Sequence, residues 1–522
     1  MNRNQARVLA LLSVTAFTLV FLIVSRHWVR LDLTKNKAYT ISEASRNLYK
    51  EISDQVRITY FVSDKLKQTY PTPGEIADLI GEYAAHSRGK IRFIQKDPAK
   101  AEILKEIEEL GIFPQQIQVT EKNEITVATV YSGILIEYLD REAVIPVVFS
   151  LDTLEYDLSS RIRSLIRNVD REIGVIVGDA YKQWNSEYGL LHRELFLSGF
   201  KIRLINPGEE IPSSLPVLFI LGGAEDLEME HLYFIDRYIT GGGNAFFALD
   251  GVYVDRRSLE TRAVEDKGLL AMLANYGVVV RRSLVLDRTA LNLRYQMQSG
   301  SGTFVQFVRY PHWIGVQSQG SNKNHPVTAR FQGVDLYWAS PLELATPPGI
   351  TGDVLFFSTV HAWLQNDRFV TNPNLIYQFE EEADGTRGAK ILAVSLSGIF
   401  SGVFEEENPV RKKPSRLIVV GDADFAGNLM QINRGEEKNL DFLIRAAEWL
   451  SNDEDIVAIR GRQGPAQRLD RITDTEKRDK AMAFSRTINT IVVPIGVILL
   501  GLFIGWRRKT KTANEKGAPV DI

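Results

Sequence analysis

VLFILGG at residues 217–223 and NAFFALDG at 244–251 are the stretches whose reading decides the fold. Each is a short, unbroken apolar run that stops at glycine or aspartate, without the alternation of a half-buried strand. Such runs are strands buried on both faces, the signature of a parallel sheet under helices. Two further runs repeat the pattern outward. EIGVIV at 172–177 leads into Gly178-Asp179, and RLIVV at 416–420 leads into Gly421-Asp422-Ala423-Asp424. Amphipathic stretches at 227–239 and 440–450 lie between or after them. The order predicts an α/β domain over residues 151–460, entered through a helix that starts near Leu151 and marks a domain boundary.

Three of these strands end in Asp close to Gly, at the edge where open α/β sheets bind ligands. Asp179, Asp250, Asp422 and Asp424 are therefore candidate ligand-binding residues in a polar or metal-binding crevice. Asp and Gly also turn a chain and cap the next helix, and spacing alone assembles no single site from these four. Gly241-Gly242-Gly243 follows a helix and precedes a strand, the reverse of a phosphate cradle, so it reads as a helix stop. There is no GxxxxGK[ST], GxSxG, HExxH or EF-hand loop. The seven histidines include no i,i+3 or i,i+4 pair, which removes the local zinc signature. No catalytic set, metal or cofactor is expected. A polar stretch near 294–332, rich in Ser, Gly and Gln, reads as an insertion, either a partner-contacting element or a flexible surface loop.

Residues 31–150 form a second unit. A helix with Ile41, Ala44, Leu48 and Ile52 on one face is followed by a strand at 56–62. A helix at 75–85, a strand at 90–95 and a helix from Asp97-Pro98 to Leu110 come next, then strands at 117–120, 132–139 and 143–149. Strand–helix–strand–helix–strand–strand is the element order of a thioredoxin-like unit. With no cysteine in the chain it has no thiol chemistry, and a binding or spacer role is the natural expectation.

Both ends of the sequence carry a charge-free apolar segment, 8–24 and 488–506. As helices rising about 1.5 Å per residue, each covers roughly the 30 Å hydrocarbon layer. Arg3 and Arg7 precede the first; Arg507, Arg508, Lys509 and Lys511 follow the second. The positive-inside rule puts both termini in the cytoplasm and the body beyond the membrane. Val24-Ser-Arg-His-Trp28 offers no small-x-small cleavage site, so the first segment reads as an anchor rather than a cleaved signal. Residues 461–487 form a polar connector to the second anchor. Charged residues are 24%, apolar residues 44% and the net charge is −3, so there is no basic excess of the kind that binds nucleic acid.

Six blocks in order resemble the GldG-like proteins, auxiliary components of ABC-2-type transporters first associated with gliding motility. They are Asp32-Leu-Thr…Tyr39-Thr-Ile-Ser, Glu155-Tyr-Asp-Leu-Ser-Ser-Arg-Ile, and Ile235-Asp-Arg-Tyr-Ile-Thr-Gly-Gly-Gly…Ala248-Leu-Asp. Leu273-Ala-Asn-Tyr-Gly-Val, His325-Pro-Val-Thr and Val419-Val-Gly-Asp-Ala-Asp-Phe-Ala…Ala447-Glu-Trp-Leu complete the series. The resemblance implies a flavodoxin/amidotransferase-like central sheet, a multi-span permease and a cytoplasmic ATPase as partners, and no catalytic mechanism. Family members often carry a Gly-His-Gly-Glu-like turn after the first central strand. Here that turn is Gly178-Asp179-Ala180-Tyr181, so no role passes to this chain from that His or Glu.

The expectation is a non-enzymatic, two-pass subunit of the bacterial inner membrane, in contact with lipid, whose body binds substrate or partner proteins. The alternative is an extracytoplasmic hydrolase or ligand-binding protein that uses the Asp residues of the sheet edge. A sensor is disfavoured, because the tail after Trp506 holds no signalling domain.

Overall fold

The computed structural model describes residues 41–451, apart from 122–123, 152, 168–170, 300–301, 330, 379–385, 405–411 and 434, together with Thr490 and Ile495. The segment 8–24, the connector 461–487 and all of 488–506 except those two residues lie outside the described residues. Among the described residues no helix is long and apolar enough to cross a membrane. The chain divides into two compact units, 1–464 and 465–522; the first holds every element named below.

Helix α1 (Glu43–Glu51) starts at Ser42, whose hydroxyl accepts the Ser45 N–H at 3.1 Å, an N-cap that satisfies one orphan donor. Strand β1 (Val56–Val62), helix α2 (Thr72–His86) and strand β2 (Ile91–Lys96) follow, with β1 and β2 parallel. Strands β3 (Ser132–Tyr138) and β4 (Arg141–Ile145) form a hairpin, and β3 runs antiparallel to β1, giving the order β2-β1-β3-β4. β4 stops before Pro146, which has no N–H to continue the ladder. Two local expectations change. The helix after Asp97-Pro98 is confined to Leu104–Glu109. The strand near 117–120 is one arm of a hairpin, Gln115–Glu121 with Glu124–Val130, that lies off this sheet.

Helix α3 (Leu154–Arg167) packs Leu154, Leu158, Ile162 and Leu165 into the same core as Val56, Ile58, Ile134 and Ile136. The sequence reading assigned this helix to the second domain. Its apolar stripe instead covers the four-stranded sheet, so the layer extends through Arg167.

Then comes β5 (Glu172–Val177), α4 (Gly189–Leu197), β6 (Lys201–Leu204), β7 (Val217–Leu221), α5 (Met229–Thr240) and β8 (Asn244–Ala248). Helix α6 (Leu269–Tyr276), β9 (Val278–Val280), β10 (Ala290–Ser299), β11 (Gly302–Gln317), β12 (Gly333–Tyr337) and β13 (Leu342–Leu344) follow. The body closes with β14 (Ile350–Phe357), β15 (Ile391–Gly398), β16 (Ser415–Val420) and α7 (Glu436–Leu450). The nine-stranded sheet has the order β9-β13-β15-β16-β8-β7-β5-β6, with β14 on β15. β6, β5, β7, β8 and β16 are mutually parallel, an order 2-1-3-4-5 by position in the chain. The remaining strands pair antiparallel.

Every residue of β7 and β8 is buried, and alternate residues serve opposite faces. Val217, Phe219, Leu221 and Phe246 pack with Leu191 and Leu195 of α4 and Phe442 and Ala446 of α7. Leu218, Ile220, Ala245 and Phe247 pack with Leu232, Ile235 and Ile239 of α5 and Leu269 and Leu273 of α6. Burial of a Leu or Phe side chain contributes about 1.5–3 kcal/mol, so each face adds many such contributions to stability. The polar stretch near 294–332 is not an irregular loop. Most of it is the β10–β11 hairpin, anchored at its base by buried Tyr310, Trp313 and Ile314, with Phe307 70% exposed farther out.

Candidate functional site

The carboxyl ends of β5, β8 and β16 bring the four Asp residues to one edge, around two cations that the sequence reading did not single out. β5 and β7 are the pair where the chain reverses its direction of sheet growth, so the loops after them part to form a crevice. The loops are tied at this point. A Cβ at Gly178 would meet the backbone of Gly222, and Gly222 has φ +75°, so both positions need glycine. Asp179 Oδ1 accepts the Gly223 N–H at 2.8 Å.

Lys182, whose side chain is 2% exposed, reaches Asp179 Oδ2 at 3.0 Å and Asp424 Oδ1 at 2.8 Å. Arg256 donates to Asp424 Oδ1 at 2.6 Å and to Glu187 Oε1 at 2.8 Å, and its Nε lies 3.3 Å from Asp424 Oδ2. Burial works to raise the Asp424 pKa, but Lys182 and Arg256 outweigh it and hold the carboxyl well below the carboxylate range. Burial likewise opposes the charge on Lys182, and the carboxylates of Asp424 and Asp179 outweigh it and push the Lys182 pKa up.

Asp422 is fully buried. Its Oδ1 accepts the N–H of Asp424 at 2.7 Å and of Phe425 at 3.0 Å, and its other oxygen accepts the Tyr337 N–H. It holds the turn after β16 and offers no oxygen to a ligand. Burial, then the charges of Asp250 and Asp424, pushes its pKa well up. Asp250 Oδ1 accepts the Ala423 N–H at 2.8 Å, and burial followed by the Asp424 charge raises its pKa to about 7. Asp179 and Asp424 are thus joined through Lys182, Asp250 sits beside them, and Asp422 faces inward. Among the described residues no three His, Asp or Glu side chains are arranged to hold a metal ion. Lys182 was legible in part, since Asp179 and Lys182 are three residues apart. Arg256 and Glu187 carry no comparable signal, because they meet Asp424 from 168 residues away or, for Glu187, through Arg256.

The blocks behind the family resemblance contact one another. Glu155 Oε1 accepts the Ser42 N–H at 2.7 Å and the Ser45 hydroxyl at 2.6 Å. Ser159 Oγ lies 2.9 Å from Ser45 Oγ and 2.8 Å from the Tyr83 hydroxyl. The Tyr276 hydroxyl donates to Asp236 at 2.6 Å. His325 packs edge-on against Trp449 with centroids 4.9 Å apart, and burial lowers its pKa to about 4. Each pair closes a gap between distant segments, so these blocks read as fold-holding contacts.

Residues 170–453 match the family described as "ABC-type uncharacterized transport system", and residues 35–137 match a domain of unknown function. The first match defines the class, an auxiliary component of an ABC-type transport system. The chain belongs to that family, in agreement with the GldG-like resemblance. An uncharacterized protein of Borreliella burgdorferi is 26% identical, over 98% of this chain and 100% of that protein. Among solved structures, the N-terminal domain of mmIFT52 is similar at 13% identity and TM-score 0.32, covering 53% of this chain and 96% of that one. A ThuA-like protein from Parabacteroides merdae follows at 12% identity and TM-score 0.29, covering 54% and 91%. At these TM-scores neither carries an argument about this chain.

Proposed function

We propose that the chain is a non-enzymatic auxiliary subunit of an ABC-2-type transport complex, anchored by 8–24 and 488–506 in a bacterial cytoplasmic membrane. Both termini face the cytoplasm, and the α/β body binds substrate or partner proteins on the other side. A multi-span permease and a cytoplasmic ATPase are its partners. The observation that carries this reading is the family match across 170–453. The charge-free terminal segments with basic outer flanks support the topology. The 2-1-3-4-5 parallel order supports a flavodoxin/amidotransferase-like sheet, and the β2-β1-β3-β4 layer supports a thioredoxin-like unit. The carboxylates of Asp179 and Asp424 are occupied by Lys182 and Arg256, which argues against a free acid–base pair.

Co-purification in mild detergent tests the partnership: a permease and its ATPase are expected with the full-length chain. A partnerless chain, under conditions that keep a control transporter intact, contradicts it. One observation favours a second reading, a ligand or hydrolytic site. Asp250 is raised to about 7 beside an Asp424 held far lower, and separated pKa values mark acid–base pairs. An Asp250→Asn variant that folds and assembles but abolishes transport supports that reading.

A further inference from the structure

A cleft of 680 Å³ lies between β4 and α3 on one side and the α4–β6 segment on the other, remote from the Asp-lined edge. Four of its charged lining residues are cations, Arg141, Arg161, Arg171 and Lys201, against one acid, Glu142. Two of the cations are built into the fold. Arg161 pairs with Asp157 at 3.0 Å and donates to the carbonyls of Val144 at 3.0 Å and Leu197 at 2.9 Å. Arg171 donates to Tyr156, Ser160 and Ser198 and lies 4.1 Å from the Phe200 ring centroid. Burial lowers the Arg161 pKa; Asp157 opposes that shift and Arg171 adds to it.

Arg141 differs from both. Its Nη1 is buried and has no hydrogen-bond partner among the described residues, a group that costs free energy unless something fills the gap. The opposite wall carries Phe196, 47% exposed, between His192 and Lys201, with Phe200 buried behind it. A cleft of this size suits a small organic molecule, and an apolar wall with few polar groups is the usual makeup of such a site. We propose that this cleft binds an amphipathic organic oxyanion, its carboxylate or phosphate head on Arg141 near Lys201 and its apolar body against Phe196. The inference is independent of the transport role, since it rests on the cleft alone.

The test is fluorescence titration of the full-length chain with 1-naphthyl phosphate and 1-naphthoate, alongside 1-naphthol and inorganic phosphate. At least one naphthyl anion is expected to bind at submillimolar concentration, and naphthol and phosphate at least about tenfold more weakly, the worth of a charge-assisted hydrogen bond. Arg141→Gln weakens the naphthyl anion about tenfold, with thermal unfolding measured alongside to show that the variant is folded. Phe196→Ala weakens the naphthyl anions and leaves phosphate unaffected. The proposal is overturned by no binding of either anion at millimolar concentration, or by naphthol binding equally well. It is also overturned by phosphate matching the naphthyl anions, which marks a bare-anion site, or by unchanged affinity in folded Arg141→Gln.

Discussion

Two buried polar clusters hold a carboxylate out of water, by opposite means. At the edge of the central sheet, Asp424 is held by two cations, Lys182 and Arg256. At the junction of α1 and α3, Glu155 is held by the N–H of Ser42 and the hydroxyl of Ser45, with Ser159 and Tyr83 extending the chain of hydroxyls. Burying a charge without compensation costs many kcal/mol, so each needs donors. The ionic solution replaces one buried charge with several, and desolvation consumes much of the attraction. The second cluster spreads the load over a backbone N–H and a run of hydroxyls. The first cluster should therefore be sensitive to loss of one partner and tolerant of losing a pair, whereas the second should respond to each donor in turn.

Lys182→Met should give the largest effect. It leaves Asp424 with Arg256 alone and deprives Asp179 of its cation; removing one partner of a buried pair costs about 3–5 kcal/mol. The double change Lys182→Met/Asp424→Leu should recover at least half of that, since Arg256 keeps Glu187 and Asp179 keeps the Gly223 N–H. Urea unfolding followed by tryptophan fluorescence checks both, and a double variant as unstable as the sum of the single changes refutes the ionic account. Glu155→Ala should cost about 2–4 kcal/mol through two lost charge-assisted hydrogen bonds. A cost under 0.5 kcal/mol, within the range of an ordinary surface change, would mean that the junction is held by apolar contacts alone.

The pH response separates the clusters further. Asp250 has its pKa raised to about 7 from 3.8, so between these values the folded state binds more protons than the unfolded chain. Stability then declines as pH rises through that window and levels off above it. Asp424 has the opposite sign: its stabilisation is present above the unfolded value and is lost only as pH falls far into the acid range. Asp250→Asn should flatten the decline between pH 4 and 7, read from unfolding midpoints across pH; an unchanged slope contradicts the assignment. At the small end, Arg57 and Glu137 are 53% and 33% exposed at 3.3 Å. Arg57→Gln should shift stability by no more than about 0.5 kcal/mol, and a larger shift would show that solvent does not screen this pair.

How much was legible follows from the range of each signal. Four of the five parallel strands announced themselves through local apolar runs ending in glycine or aspartate, and the structure pairs them side by side. β15 carried the same kind of run, at Ile391–Leu396, but no turn after it named its antiparallel neighbours β14 and β16. The β10–β11 hairpin was read as an insertion because its outer arm is polar, while the buried aromatics at its base belong to β11 alone. At the candidate edge the acids were visible, since each ends a strand. Their cations were legible only in the Asp179–Lys182 spacing, because Lys182 and Arg256 meet Asp424 from 242 and 168 residues away. Such pairings are set by sheet order, which no local pattern encodes.

Under the proposed function, the charged edge holds the fold rather than doing chemistry. The most direct measurement purifies the proposed permease–ATPase assembly with Lys182→Met/Asp424→Leu in place of the natural chain and compares its composition and ATP-hydrolysis rate with those of the unaltered one. The account predicts the same composition and a rate within a factor of about two, below the tenfold that 1.36 kcal/mol of barrier represents. An intact, folded assembly whose hydrolysis has collapsed would contradict it and make the Asp-lined edge the working site.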